Sequence, residues 1–246
     1  MKVLSVFGIT KSGKTTTIEN IISRLSKKYS VGSVKEIHFE SFKIDTEGTN
    51  TDRHRRAGSQ LITARGIHET DVLYQDKLSI DKILSFYDQE YVILEGVTDI
   101  VSPKIITAHS IEEIEERLDD SVFAISGVIS NQISEYKGIP VINSITDGDK
   151  LISLIEEKVF ERLPGFSEKC CTACGMSCKE LCGKILKGEA SRSRCLLPKK
   201  SISLKVNGEE IEMVPFVQRI LKNSVEAVVK ELNGYKENSK IEVIIK

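Results

Sequence analysis

Gly8-Ile9-Thr10-Lys11-Ser12-Gly13-Lys14-Thr15 is the stretch on which the reading of this chain turns. It fits G-x-x-x-x-G-K-[S/T] in full, and it stands between an apolar run at residues 3–7 and an amphipathic one at residues 15–28. That strand–turn–helix setting is what a phosphate-binding loop requires. Glycines let the backbone curl until successive N–H groups face a β-phosphate, and the helix N-terminus adds the positive end of its dipole. On this reading Gly8, Ile9, Thr10, Lys11, Ser12, Gly13, Lys14, Thr15 and Thr16 form a nucleotide site. Lys14 would reach the β- and γ-phosphates and the Thr15 hydroxyl would ligate Mg²⁺, so a magnesium nucleoside triphosphate is the expected ligand.

Outward from the loop, Ile18, Ile21, Ile22 and Leu25 recur at spacings of three and four, which makes one apolar helix stripe. Short apolar runs at residues 31–35, 91–94, 122–125 and 139–142 then alternate with helix-like stretches, the last of them at residues 150–162. Strands alternating with helices predict an α/β, P-loop NTPase-like fold, a mostly parallel sheet with helices on both faces, over residues 1–163. Pro164-Gly165 breaks the pattern and marks a boundary. A Cys-rich module is expected at residues 164–200, and a short ββαβ tail at residues 201–246. In the tail, strands at 203–206 and 209–213 flank an Asn207-Gly208 turn, a helix follows at 216–232, and a last strand lies at 241–245.

Triphosphate hydrolysis would need a carboxylate on the Mg²⁺ side and a group that orients water. Glu95 is the first candidate, because it ends the apolar run Tyr91-Val92-Ile93-Leu94, and open α/β sheets bind ligands at the carboxyl ends of strands. Asp45 and Asp99 are alternatives. The polar stretch at residues 40–56 predicts a loop over the nucleotide. Ser130-Asn131-Gln132 lacks the aspartate two positions further on that guanine-reading loops of many GTPases carry, so the base stays open.

Composition narrows the classes. With 40% apolar and 29% charged residues and a formal net charge of −1, the chain reads as a globular protein with no overall pull toward nucleic acid or membrane. The apolar residues 1–7 are too short for a signal-peptide core, and no stretch approaches the roughly 20 apolar residues of a membrane span. A cytoplasmic location is expected, where six cysteines confined to residues 170–195 indicate metal or redox chemistry rather than disulfides.

Asp52-Arg53-His54-Arg55-Arg56-Ala57-Gly58 places three arginines and a histidine in five residues. Arginine forks suit phosphate oxygens, so Arg53, His54 and Arg55 could clamp a phosphate-bearing partner or the triphosphate, or they could simply be a solvated helix face. Taken together, the N-terminal loop, Val34-Lys35-Glu36, Arg53-His54-Arg55 with Ala57-Gly58, Leu94-Glu95-Gly96 and Pro103-Lys104 resemble the molybdopterin-guanine dinucleotide biosynthesis protein B family over residues 1–163. The resemblance implies a dimeric accessory protein that binds GTP and hydrolyses it weakly. Its partners would be a molybdopterin guanylyltransferase and a molybdenum or tungsten enzyme. The family has histidines after the lysine of its second strand; here only His38 remains in Lys35-Glu36-Ile37-His38.

Cys171-x2-Cys174-x3-Cys178, followed by Cys195 after sixteen residues, is a three-cysteine hook with one remote thiolate. Four cysteines so placed suit a 4Fe-4S cluster. Structural Zn²⁺ also takes four thiolates, but usually from two Cys-x2-Cys pairs, and only one such pair is present. Cys170 and Cys182 are surplus, and either could substitute as a ligand. The segment resembles the small 4Fe-4S domain of corrinoid iron-sulfur proteins, with one residue fewer before its third cysteine. Three functions therefore compete: a cofactor-assembly GTPase with a cluster, a nucleotide-gated cluster carrier or metallochaperone, and a zinc-bound nucleotide switch.

Overall fold

In the computed structural model the chain is described at residues 1–39, 42–165, 174–195, 202, 204–207, 209–211, 213, 215–236 and 241–243. It divides into two compact units, Met1–Arg162 and Leu163–Lys246. The first runs β1 (Lys2–Gly8), α1 (Lys14–Leu25), β2 (Val31–Lys35), α2 (Asn50–Arg56), β3 (Leu61–Arg65), β4 (Thr70–Tyr74), α3 (Ile80–Leu84), β5 (Tyr91–Glu95), β6 (Lys104–Thr107), α4 (Ile111–Glu115), β7 (Val122–Ser126), β8 (Glu135–Tyr136), β9 (Ile139–Pro140) and α5 (Gly148–Lys158).

Five strands pair in parallel in the order β2-β5-β1-β6-β7. Parallel strands covered on both faces read as continuous apolar runs, and β5 and β7 do so: residues 91–94 and 122–126 are all buried. On one face Val3, Val92 and Leu94 pack with Ile80 and Leu84 of α3. α1 buries Ile18, Ile21 and Leu25, the stripe its spacing predicts, and lies beside α5 with Arg24 3.3 Å from Asp149 and Lys28 3.2 Å from Glu156. Burying each such side chain contributes about 1.5–3 kcal/mol. This is the P-loop NTPase-like α/β arrangement.

Because all five strands run the same way, their carboxyl ends share one edge. The chain leaves β1 for β2 on one side of it, and passes from β5 to β6 on the other, so the strand order switches direction at β1. Ligands of open α/β sheets bind in the crevice at such a point.

Two local expectations change in this first unit. Residues 139–142 do not form one strand: Lys137 and Gly138, at φ 49° and 78°, close a tight turn that pairs β8 with β9. The chain then meets the sheet in a parallel bridge between Val141 and Ile125, with Ile142 N–H donating to Ile125 O at 2.8 Å. The polar stretch 40–56 contains α2, started by the Thr49 hydroxyl, which accepts from Asp52 N–H at 3.2 Å. Residues 40 and 41 lie outside the described residues.

The second unit holds α6 (Cys178–Leu186), β10 (Leu204–Val206), β11 (Glu209–Ile211) and α7 (Pro215–Lys230). β10 and β11 are antiparallel and joined through Asn207, at φ 53°, as the turn chemistry predicts. The last expected strand is not formed at residues 241–243, and 244–246 lie outside the described residues. Among the described residues no helix is long and apolar enough to cross a membrane.

Candidate functional site

The loop between β1 and α1 can be understood by asking where its carbonyls go. Gly8 O and Ile9 O accept from Lys14 Nζ at 2.6 and 2.9 Å. Lys11 O faces His109 Nε2 at 3.0 Å, Ser12 O accepts from Val128 N–H at 3.2 Å, and Gly13 O accepts from Thr17 N–H at 2.9 Å. Thr17 is thus the first residue whose N–H is satisfied within the helix turn. Among the described residues nothing accepts from the N–H groups of Lys14, Thr15 or Thr16, and no side chain caps α1. Unpaired N–H groups at a helix N-terminus form an anion site. Thr15 and Thr16 are exposed beside it, so the Thr15 hydroxyl is accessible to a metal ion.

The loop is held from below by residues far along the chain. Ser12 Oγ lies 2.8 Å from both Thr107 Oγ1 and Ile9 O, and Thr107 Oγ1 lies 3.2 Å from Phe7 O, so the two hydroxyl protons are shared among these three contacts. This packing leaves no room at Gly8, where a Cβ would overlap the Thr107 oxygens and sit 2.6 Å from Ser12 Oγ. Gly127, after β7, has φ 81° and ψ −154°, and a Cβ there would overlap Ser12 O. Thr107, His109 and Gly127 are thus structural parts of the loop that motif reading misses. Their only local sign is a position at or just after the end of an apolar strand, at the edge where β1 ends.

Glu95 meets the loop through strand pairing. It lies opposite Val6 of β1 and Lys35 of β2, and Lys35 Nζ is 3.4 Å from Glu95 Oε1. Burial holds the Lys14 ammonium below the usual lysine range, Glu95 opposes this, and Lys35 and Arg117 add to it. A carboxylate within electrostatic reach of the loop lysine is therefore present at this edge. The neighbouring Glu36 is bound by Lys77 at 2.6 Å.

α2 divides the basic segment in two. Asp52 is buried and accepts from Gly48 N–H at 3.0 Å; Arg55 pairs with one of its oxygens, and Arg56 Nε lies 2.8 Å from the other. The Gly48 hydrogen bond holds Asp52 below the usual carboxylate range against the upward push of burial, with Arg55 and Arg56 assisting. Arg55 is therefore committed to the fold of its own helix, whereas Arg53 and His54 are exposed. Among the described residues no hydrogen bond or ion pair joins these three to residues 8–16. Asp45, one of the two alternative carboxylates, accepts at Oδ1 from the hydroxyls of Thr49 and Thr51, both at 2.8 Å, while its Oδ2 is buried with no partner among the described residues.

Of the cysteine module, Cys170 and Cys171 lie outside the described residues. A reciprocal capping box between Ser177 and Glu180 starts α6 at Cys178, and Cys182 follows one turn later, buried. Cys195 is buried and Cys174 and Cys178 are half-buried. Among the described residues no group of three or more His, Cys, Asp or Glu side chains is gathered to hold a metal ion. The described cysteines thus do not by themselves form a ligand set for a cluster.

Comparison with known proteins gives a consistent answer. Residues 3–130 match the family model of molybdopterin guanine dinucleotide synthesis protein B. A chain from Methanocaldococcus jannaschii, named as a molybdopterin-guanine dinucleotide biosynthesis adapter protein, is 29% identical over 252 residues, 100% of this chain and 97% of its own length. That match runs through the cysteine-rich segment. A Bacillus subtilis adapter protein of the same name is 24% identical over 147 residues, 58% of this chain and 85% of its own. The crystal structure of Bacillus subtilis MobB superposes with a TM-score of 0.55 at 21% identity, over 66% of this chain and 100% of that one, and thereby shares its fold.

Proposed function

This chain belongs to the molybdopterin guanine dinucleotide synthesis protein B family, and from that premise we propose that it is a GTP-binding accessory protein of molybdenum or tungsten cofactor biosynthesis, at most a slow GTPase. It works beside a molybdopterin guanylyltransferase and an enzyme that receives the cofactor, as a homodimer. The observation that carries this reading is the set of unpaired N–H groups at Lys14, Thr15 and Thr16, at the sheet edge where the strand order switches.

A triphosphate in this hollow draws the Lys14 ammonium away from the carbonyls of Gly8 and Ile9 and onto its own oxygens. Thr15 and Glu95 are the residues that would hold Mg²⁺, which would neutralise charge on the phosphates. Glu95 has Lys35 as its partner, at 3.4 Å. Arg53 and His54, exposed on α2, contact a phosphate-bearing partner, and Arg55 sets the helix through Asp52.

A 4Fe-4S cluster on Cys171, Cys174, Cys178 and Cys195 belongs to the proposal on cysteine spacing alone. No chemical step is routed through it. Anaerobic purification with iron, sulfide and zinc analysis tests it: about four irons and four sulfides per chain support the cluster. A colourless protein with one zinc replaces it by a zinc-bound switch. For the nucleotide, calorimetric titration with GTP and ATP in the presence of Mg²⁺ is decisive. Tighter binding of GTP, lost in Lys14→Ala, is expected; equal or tighter binding of ATP overturns the guanine assignment.

A further inference from the structure

We propose that His109 is a positioning residue for the phosphate loop, holding Lys11 in the conformation that presents the loop's N–H groups to an anion. The inference rests on the nucleotide reading of residues 8–16. Lys11 has φ 64°, an uncommon conformation for a residue with a Cβ, and one that persists only when its surroundings enforce it. Its carbonyl has a single partner among the described residues, the His109 ring at 3.0 Å.

A carbonyl only accepts, so His109 Nε2 carries the proton of that bond. The residue is anchored on the far side by its backbone, whose N–H donates to Glu113 Oε2 at 2.8 Å; Nδ1 lies 3.3 Å from both oxygens of Glu113 and bonds to them only when it too carries a proton. Glu113 sits on the helix that follows β6, so His109 links that helix, through its backbone, to a strained loop residue 98 positions away, through its ring.

The consequence for the ligand follows from peptide planarity. Lys11 C=O and Ser12 N–H are opposite edges of one trans peptide, so pinning the carbonyl on His109 turns the Ser12 N–H the other way. That N–H makes only a long bond of 3.4 Å to Ile9 O, within the curl of the loop, and an incoming phosphate oxygen can take it over. Without the imidazole, Lys11 relaxes toward negative φ and the peptide rotates. His109 thus acts through Lys11 and does not touch the ligand.

Two substitutions separate the ring's two ends. His109→Gln retains an N–H donor at the reach of Nε2, whereas His109→Asn retains only one near Nδ1. Calorimetric titration of the full chain with GTP and Mg²⁺, alongside thermal midpoints, is the test, with Lys14→Ala as the reference for the site itself. His109→Asn is expected to weaken GTP about five- to tenfold, the worth of one hydrogen bond, with its thermal midpoint retained. His109→Gln should stay within about twofold of the parent. Equal affinities of the Asn and Gln variants overturn the tether, as does a loss of affinity that tracks a loss of thermal midpoint in both. If Lys14→Ala weakens binding while His109→Asn does not, the tether falls and the nucleotide site stands. If neither changes the affinity, the nucleotide reading falls and the tether with it.

Discussion

Replacing Gly127 by alanine should cost far more than a glycine-to-alanine change at an ordinary turn, and the structure says why. Gly127 sits at φ 81° and ψ −154°, a region that residues with a Cβ hardly enter. Forcing alanine into it costs about 1–3 kcal/mol. The added methyl would also overlap Ser12 O and lie 3.0 Å from Thr107 Cβ and 3.2 Å from Ala108 N, all parts of the bed under the phosphate loop. Overpacking against such a bed adds about 1–3 kcal/mol. Together these suggest about 2–6 kcal/mol, or a fall in thermal midpoint of roughly 8–16 °C at the centre of that range. Gly138→Ala is the control. Gly138 also has positive φ, 78°, but a Cβ there would meet nothing within 4 Å, so only about 1–2 kcal/mol of backbone strain is at stake. The sequence contains no tryptophan, so far-UV circular dichroism is the natural probe of unfolding. Equal midpoints for the two variants would refute the claim that the loop is seated on Gly127.

Asp52 makes a pH-dependent contribution. Its folded value is depressed, so its stabilisation is complete above the unfolded carboxylate pKa of about 3.9 and is lost as the pH falls from there through the folded value. Thermal midpoints of the parent should therefore drop more steeply than those of Asp52→Asn below about pH 4; parallel curves contradict the assignment. Arg55→Ala should lower the thermal midpoint because it strips a partner from buried Asp52, whereas Arg53→Ala, exposed, should leave it unchanged. A matching fall for both would show that the two arginines do not divide the work as described. Lys14 starts below the usual lysine range, and a bound triphosphate raises it. GTP affinity should thus decline toward alkaline pH from below the ordinary lysine value of about 10.4, and a flat profile to that pH speaks against Lys14 meeting the phosphates.

How much of this was readable in advance depends on the range of the interactions involved. Residues 8–15 and the stripe Ile18, Ile21, Leu25 are legible because a glycine turn and a helical period are properties of neighbouring residues. The place of Glu95 at the end of a strand is legible for the same reason, as the last residue of an apolar run. Arg53, His54 and Arg55 look alike as a charge run; only folding buries Asp52 among them and takes Arg55 out of the exposed set. The cysteines state their number and spacing, but spacing along a chain does not say which thiols meet.

The phosphate loop shows the division most clearly. Its motif, its φ-permissive glycines and its helix follow from eight consecutive residues. Thr107 and His109, 95 and 98 residues from their partners in the loop, and Gly127 beneath it carry no motif of their own. They reach the loop because β6 pairs beside β1 and β7 beside β6, all in parallel, which brings the residues that end and follow each strand to one edge. Strand order is decided by how apolar faces are covered across the whole sheet, a long-range balance that no local window of sequence contains. The chain therefore specifies its anion-binding turn locally, and the tertiary fold supplies the hydroxyl, the imidazole and the close backbone approach that hold that turn in shape.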